Sequence, residues 1–387
     1  MHKIIFTIEQ RQDFYLSLAF TRLIKNRILE NHEGIQIMAL FLSECERAEY
    51  RPYLDEFDQV AYVGHFCFPE SIKTVYPTLK QIMRLQREVR HLNLCSQDVL
   101  VAYSFREFVM NVLIKALRPK PRLVRIRKCD QNSEAFYTHR RPLLSLYLNT
   151  WNFFFGTSLM RYRWLPNSKR VGGVPSYIRD PYEFEFCLNP IDSVKSNSDQ
   201  IPYPFAVLRN LPIEKSPSAQ PTIVILGELY PFEDTMDVKL FISDFNWILN
   251  YIRQSFPMHR LIFKPRTSVD GLGLDLKNFE IAYQDILLEA LLLKDPGIEK
   301  VISFKSSGSF VATTFGIDGY LLYPLIKLSI VYKKVLDAYF EQHQTSTCFV
   351  YELEDLNKTQ KMDCKKSIDM IERLCQPLLN VLLKDIE

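Results

Sequence analysis

The segment that most constrains the fold of this chain is residues 301–323, VISFKSSGSFVATTFGIDGYLLY. It begins with an apolar strand pattern, VISF, and passes through a short polar turn into an apolar helix that starts near Ser309 and stops at Gly316. A second apolar strand pattern, YLLY, follows directly. Two apolar strands separated by a helix are typical of a parallel sheet, because parallel strands need a crossover connection.

The turn that precedes this helix combines small, hydroxylic and basic residues. They are Lys305, Ser306, Ser307, Gly308 and Ser309. The first amides of a helix have no intrahelical partners and the helix dipole adds partial positive charge there, so such a turn suits a phosphate or another anion. An ordinary serine N-cap followed by a turn glycine has the same composition. The turn by itself leaves both interpretations open.

A second strand end in the same half of the chain is also basic. In MHRLIFKPRTSVD, the apolar run LIF is followed by Lys264, Pro265 and Arg266. Taken alone, this is a solvated loop whose proline ends the strand. In open α/β sheets, however, ligands bind beyond the carboxyl ends of the strands. Two strand ends of this kind together favour a ligand that carries phosphate.

Strand and helix patterns alternate along both halves of the chain, with a Pro-, Ser- and Asn-rich stretch between the halves. Strands are predicted at 3–8, 34–42, 59–64, 98–104, 121–127, 222–227, 261–263, 301–304, 320–323 and 347–353, and helices at 14–29, 69–92, 105–117, 238–255, 281–293, 309–315, 325–342 and 358–383. This alternation predicts an α/β fold with two Rossmann-like, doubly wound domains that face a cleft. The predicted domains are 1–195 and 221–387, the second with C-terminal helices, joined by a linker at 196–220.

The composition excludes several classes of protein. Hydrophobic residues make up 47% of the chain, which excludes a disordered protein, and a net charge of +3 does not favour a nucleic-acid partner. The eight cysteines include no Cys-x-x-Cys pair, which argues against structural zinc and predicts reduced thiols in the cytoplasm. The first residues lack the pattern of a signal peptide. Gly-x-Gly-x-x-Gly and Walker motifs are absent, so dinucleotide-binding and NTPase functions have no support.

Two further segments are candidate interaction surfaces. The apolar run 143–160 has arginines on both sides and polar residues within it, so we expect a buried helix, with a membrane-surface segment as the alternative. Basic residues cluster at 115–128, as a solvated edge or as a surface for an anionic glycan or acidic lipid. Aromatic residues are not interleaved there, which argues against single-stranded nucleic acid. Peripheral contact with the inner membrane is therefore one of the open interpretations.

The motifs in 222–323 resemble those of GT-B glycosyltransferases, and within that fold the bacterial sialyltransferases and polysialyltransferases of surface-glycan synthesis. In that family a His-Pro pair at a strand end and a later Ser-Ser or Ser-Thr pair hold the nucleotide and its phosphate. Ser306 and Ser307 match the later pair, and Gly308 follows them. Lys264-Pro265 stands where the family has His-Pro. A lysine still contacts a phosphate as a point charge, but it supplies no neutral imidazole.

The same family has an acidic motif after a strand of the first domain, and this motif supplies the general base. In Cys-Asp-Gln-Asn, only Asp130 matches, because the second acid and the glycine are absent. A base must reach the proton that it removes, and Asp130 would follow a strand that ends at the cleft. Asp130 is therefore the predicted catalytic base, and a helix-capping role is the alternative.

Other predicted contacts also follow strand ends. Glu228 and Tyr230 come after the first strand of the second domain and are predicted nucleotide contacts, with an ordinary turn as the alternative. Arg11 and Gln12 come after the first strand of the first domain, and with His139 they are assigned to the acceptor side.

The resemblance implies an inverting transfer of a sugar from a nucleotide donor to a cell-surface glycan or glycolipid on the cytoplasmic side. CMP-sialic acid is the first candidate for the donor, and a UDP- or GDP-sugar is the second. No Asp-x-Asp motif is present, so neither a metal nor a cofactor beyond the co-substrate is expected. Two alternatives remain: a nucleotide-sugar 2-epimerase of the same fold, and a non-catalytic GT-B-like protein of polysaccharide assembly. The departures from the family motifs motivate the second of these.

Overall fold

A computed structural model describes most of the chain. The described residues are 2–28, 34–42, 47–63, 72–103, 107–127, 149–151, 153–156, 160–164, 173–177, 182–189, 200–210, 220–227, 237–266, 273–282, 286–306, 308–342, 348–358 and 364–384. The chain divides into two compact units. The first comprises Met1–Leu188, Ser198–Ile201 and Cys375–Glu387, and the second comprises Asn189–Asn197 and Pro202–Leu374.

The first unit is built around a mainly parallel sheet. Its strands are β1 (His2–Ile8), β2 (Ile35–Phe41), β3 (Gln59–Tyr62), β4 (Val99–Ala102), β5 (Arg122–Arg127), β8 (Phe184–Asn189) and β9 (Gln200–Pro202), and β6 (Met160–Trp164) pairs separately with β7 (Gly173–Tyr177). The helices are α1 (Arg11–Ile28), α2 (Ile72–His91) and α3 (Glu107–Ala116), with a 3₁₀ helix at Arg51–Glu56. The strand order is β3-β2-β1-β4-β5-β8-β9, and the pairs from β3 to β8 are parallel.

The second unit contains a sheet of the same kind. Its strands are β10 (Thr222–Leu226), β11 (Arg260–Lys264), β12 (Glu280–Ile281), β13 (Ile298–Ser303), β14 (Asp318–Leu321) and β15 (Cys348–Phe349). Its helices are α4 (Val238–Ser255), α5 (Leu288–Lys294), α6 (Gly308–Thr314), α7 (Ile330–Gln342) and α8 (Cys364–Leu374), with 3₁₀ helices at Phe205–Asn210 and Leu353–Asn357. The order is β12-β11-β10-β13-β14-β15, and every pair in it is parallel.

When the strands of each sheet are counted along the chain, the second sheet reads 3-2-1-4-5-6, and the first reads the same with a seventh strand, β9, added at its edge. This is the order of a doubly wound nucleotide-binding sheet. Because crossovers between parallel strands are almost always right-handed, this order predicts helices on both faces of each sheet. β4 and β10, near the middle of each sheet, are buried along their whole length, as strands covered on both faces must be. The predicted α/β fold with two Rossmann-like sheets is confirmed.

The structure differs from the sequence prediction at several element ends. The helix predicted from 281 begins only at α5, because Glu280–Ile281 pair with β11 as a short strand. The helix predicted from 325 begins at α7, where the Tyr332 amide donates to Ser329 Oγ at 3.3 Å. The helix predicted at 358–383 is divided into α8 and α9 (Gln376–Leu383).

The last helix also lies in a different unit from the one that the sequence suggested. The predicted second domain ran to residue 387, whereas α9 belongs to the first unit. There the Arg122 Nη1 donates to the Val381 carbonyl at 3.3 Å, and the Arg27 Nη2 lies 3.4 Å from Asn380 Oδ1. The first unit is therefore completed by residues that follow the second unit in the chain. Within the part of the chain that is described, none of the helices has the length and apolar character needed to cross a membrane.

Candidate functional site

Three neighbouring strands of the second sheet end side by side. Leu226, the last residue of β10, pairs with Lys264 of β11 on one side and with Ser303 of β13 on the other. Residues paired in a parallel sheet project from the same face, and adjacent strands lie about 4.8 Å apart, so Lys264 and Ser303 flank Leu226 about 10 Å apart. The boundary between β10 and β13 is where the strand order reverses, which is where ligands bind in such sheets.

A chain of serine hydroxyls fixes the turn between β13 and α6. The amide of Ser306 donates to Ser303 Oγ at 3.2 Å, and Ser303 Oγ lies 2.7 Å from Ser309 Oγ. The Ser309 hydroxyl donates in turn to the Tyr320 carbonyl on β14 at 2.8 Å. Ser303 and Ser309 are both fully buried. The hydroxyl of Ser309, which the sequence analysis assigned to phosphate binding, therefore ties the helix to the sheet.

Two glycines allow α6 to begin this close to the sheet. A Cβ on Gly308 would lie 2.4 Å from Leu226 Cδ1 and 3.1 Å from Leu288 Cδ2, so Gly308 closes over the end of β10. A Cβ on Gly319, in β14, would lie 2.1 Å from the Ser309 carbonyl oxygen. Ser306 caps the helix, since its Oγ accepts the Gly308 amide at 3.1 Å. Close backbone approach thus holds the turn over the end of β10. This is the point where the strand order of the sheet reverses, which we call the switch point.

Basic side chains lie at both sides of this turn. Lys264 is half-buried, Pro265 is buried and Arg266 is exposed. The Gly227 amide donates to the Lys264 carbonyl at 2.8 Å, which fixes the end of β11 against the end of β10. Beyond β13, the half-buried Lys305 ammonium donates to the Tyr332 hydroxyl and lies 5.2 Å from the centre of the Tyr332 ring. The arrangement places positive charge on either side of a turn that is built from hydroxyl and amide groups.

An open cavity of about 410 Å³ adjoins the first turn of α7. Its lining includes Asp244, Trp247, Ile326, Lys327, Leu328 and Lys333. Lys333 follows directly after Tyr332, the residue that contacts Lys305. The cavity and the turn between β13 and α6, called the serine turn below, therefore both contact the start of α7. Asp244 Oδ2 accepts the Lys327 amide at 3.4 Å, and the Trp247 indole is partly exposed at the rim. The cavity therefore combines an aromatic face, a carboxylate and two ammonium groups.

At the equivalent edge of the first sheet, the predicted acceptor residues lie in the first turn of α1. Arg11 and Gln12 are both half-buried there. The loop before them is held by Asp13, whose Oδ2 accepts the Glu9 amide at 3.1 Å and the Gln10 amide at 2.9 Å. Asp13 is fully buried. Its carboxylate fixes the path of the chain out of β1, and so it positions Arg11 and Gln12.

A buried tyrosine also lies at this edge. Tyr103, which directly follows β4, has its hydroxyl 3.1 Å from Ser17 Oγ. Burial raises the pKa of Tyr103 well above its ordinary value, and the nearby Asp13 carboxylate raises it further, against the Ser17 hydrogen bond. The hydroxyl is therefore neutral at physiological pH and acts as a fixed hydrogen-bonding group beside α1.

The remaining predicted site residues lie outside the described residues. They are Asp130, His139, Glu228, Tyr230 and Ser307. Sequence reasoning missed Tyr332, Asp244, Trp247 and Lys333, which no local motif marks because long-range packing brings them to the site. For Asp13 a signal was present: an acid three residues after Gln10, at the start of an apolar helix, is typical of a capping arrangement. Among the described residues, no group of three His, Cys, Asp or Glu side chains could hold a metal ion.

No protein-family model and no curated protein matches the sequence. Similar solved structures include the UDP-GlcNAc 2-epimerase of Methanocaldococcus jannaschii, at 10% identity and a TM-score of 0.49, covering 97% of this chain and 99% of that one. ADP-heptose lipopolysaccharide heptosyltransferase II of E. coli is 10% identical, with a TM-score of 0.40. The match covers 98% of this chain and 99% of that one. A family 9 glycosyl transferase of Veillonella parvula is 12% identical, with a TM-score of 0.42. The match covers 98% of this chain and 97% of that one. The fold assignment itself rests on the two strand orders.

Proposed function

We propose that this chain is a nucleotide-sugar-dependent glycosyltransferase of the GT-B type. The observation that carries the proposal is the row Lys264–Leu226–Ser303 at the switch point of the second sheet, with the serine turn folded over Leu226. A doubly wound sheet binds nucleotides at this edge. The lysines on both sides of the turn suit the phosphates of such a donor.

The phosphate groups would lie between Lys264 and Lys305, close to Arg266. In glycosyl transfer the bond between the sugar and the donor phosphate breaks, and negative charge grows on the departing nucleotide. Fixed positive groups at that position stabilise the transition state more than the bound donor. This set of cations supports a transfer that needs no metal, in line with the missing Asp-x-Asp motif.

The base of the nucleotide would occupy the cavity beside α7. The Trp247 indole offers a face for stacking, and the Asp244 carboxylate accepts hydrogen bonds only. The amino groups of cytosine, guanine and adenine and the ring N–H of uracil can all donate to such a carboxylate. CMP-sialic acid stays the first candidate for the donor because of the resemblance to sialyltransferases, and a UDP- or GDP-sugar is the second.

The acceptor would be a cell-surface glycan or glycolipid, bound by the first unit on the cytoplasmic side. Asp130 is proposed as the base that removes the proton of the acceptor hydroxyl while that oxygen attacks the anomeric carbon, with inversion. Arg11, Gln12 and His139 would contact the acceptor. Asp130→Asn is expected to keep nucleotide binding and to lose turnover.

A thermal-shift series against CMP, CDP, UDP, GDP, NAD and ATP tests the proposal first, because a ligand that binds the folded state raises its melting temperature. Lys264→Met and Lys305→Met keep the apolar stems and remove the charges, so each should weaken binding of the stabilising nucleotide by about 10- to 100-fold. Lys294→Met is the matched control, since Lys294 is exposed at the end of α5 that leads into the start of β13, away from the strand ends.

The outcomes separate the candidate functions. Stabilisation by a pyrimidine or guanine nucleotide that is lost in both lysine variants, but not in the control, supports the nucleotide site. Product analysis then distinguishes a transferase, which forms a new glycosidic bond, from an epimerase, which releases an altered sugar. A flat response to all six nucleotides would favour the non-catalytic alternative, which the Lys264 substitution for the family histidine motivates.

A further inference from the structure

The first unit presents two adjacent phenylalanines to solvent. Phe153 is 80% exposed and Phe154 is 62% exposed, and their ring centres lie 5.4 Å apart in an edge-to-face arrangement. In the same helical stretch Trp151 is buried and its ring lies 5.1 Å from that of Phe155, and both pack against the core formed with α2 and α3. The sequence analysis expected a buried helix here, and that expectation fails for Phe153 and Phe154. The packing of Trp151 and Phe155 against the core holds the exposed Phe153 and Phe154 in place.

A lysine ammonium group contacts the backbone of one of these phenylalanines. The Lys115 ammonium, in the last turn of α3, donates to the Phe154 carbonyl at 2.8 Å. Arg118 and Lys120 follow along the chain and are exposed. Lys115, the first residue of the basic cluster in the sequence, thus contacts Phe154 of the apolar run, 39 residues further along the chain.

Helix α2 packs against α3 and carries further positive charge. Its exposed side carries Lys80, Arg84, Arg87 and Arg90 at helical spacing, with Tyr76 and Met83 among them. The helix contains five Lys or Arg residues and one acid, Glu88, which pairs with Arg87 at 3.3 Å. The exposed side of α2 is therefore both strongly basic and partly apolar.

We propose that the basic-aromatic face, defined as Phe153, Phe154, Lys115, Arg118, Lys120 and the exposed side of α2, docks on an anionic lipid surface. A membrane interface accepts apolar rings at the boundary of the acyl chains and cations at the phosphates, at neighbouring depths. The edge-to-face phenylalanines offer no flat platform for successive bases, which disfavours a nucleic acid. The long stems of Lys and Arg allow the charges to reach the headgroups while the rings insert.

Vesicle sedimentation tests this proposal with the purified full chain. Vesicles of phosphatidylcholine alone are compared with vesicles that also contain phosphatidylglycerol in a two-to-one ratio. The protein should bind the anionic vesicles, bind the neutral ones far more weakly, and lose binding as salt is raised. The paired changes Phe153→Ser with Phe154→Ser, and Arg118→Gln with Lys120→Gln, should each lower the apparent affinity by about tenfold or more.

The second unit supplies a matched control. Ile330 and Val331 are adjacent, 76% and 74% exposed, and lie at the start of α7. Ile330→Ser with Val331→Ser should leave vesicle binding unchanged, and melting temperatures should be similar for all variants because the changed side chains are exposed. Equal binding to both kinds of vesicle, unaltered binding of the phenylalanine variant, or an equal loss in the control would overturn the proposal. Nucleotide binding is not needed for any of these results, so this test is independent of the proposed activity.

Discussion

Gly319→Ala should be among the most damaging single-atom changes in the second unit. The added Cβ would lie 2.1 Å from the Ser309 carbonyl oxygen and 2.9 Å from both the Ser309 carbonyl carbon and Thr313 Cγ2, whereas ordinary contact begins at 3.4 Å. Either β14 or the start of α6 must therefore move by more than 1 Å. The neighbour is backbone, so no rotamer change can relieve the contact.

The expected loss of stability follows from these contacts. Overpacking of a rigid site costs roughly 1–3 kcal/mol. Displacement of α6 also breaks the buried hydrogen bonds that run from Ser303 through Ser309 to Tyr320, each worth about 1 kcal/mol. The sum is roughly 3–5 kcal/mol for Gly319→Ala.

Gly308→Ala is the informative comparison. Its added Cβ would meet the end of the Leu226 side chain, which can change rotamer, so the loss should be only about 1–2 kcal/mol. Urea unfolding followed by circular dichroism gives both values from the shift in midpoint at constant slope. A loss below about 1 kcal/mol for Gly319→Ala, or a larger loss for Gly308→Ala than for Gly319→Ala, would refute this account of the packing.

Three further predictions follow from buried or capped polar groups. Ser309→Ala should lower the free energy of unfolding by roughly 1–2 kcal/mol in urea titrations, because Ser303 loses its buried partner. The hydrogen bonds of Asp355 from Lys358 and from backbone amides lower the pKa of its carboxyl to about 2, below the usual 3.8. The ionised Asp355 carboxylate therefore contributes its full stabilisation of the fold above about pH 4, and this contribution is lost as the pH falls towards 2. The melting temperatures of wild type and Asp355→Asn should converge over that range. Lys300 and Asp318 form a buried pair at 3.7 Å, so Asp318→Asn should cost roughly 3 kcal/mol, and adding Lys300→Met should recover much of it in the same unfolding assay.

The sheets could be predicted from the sequence because their strands are short apolar runs. TIVIL at β10 and VLVA at β4 are buried along their whole length and show no helical period. The edge strand Glu280–Ile281 could not be predicted in this way. It is exposed and too short to carry a pattern, and its pairing with β11 defines it.

Candidate site residues could be chosen from the sequence where they follow predicted strand ends. Lys264 and Lys305 each directly follow an apolar run, and Ser306 follows Lys305. Their contact with a nucleotide stays a prediction. The inward direction of Ser309 could not be foreseen. It depends on the close approach of α6 to β14, which Gly319 permits from ten positions further along the chain.

The order in which the two units appear in the chain has a consequence for biosynthesis. During translation the first unit emerges long before α9, which supplies part of its surface, and the whole second unit is made in between. During synthesis of the second unit, the first unit should therefore stay incomplete, because Arg122 and Arg27 still lack their hydrogen bonds to Val381 and Asn380. A fragment cut before α9 would lack this piece, so we expect it to need α9 as an added peptide to reach full stability.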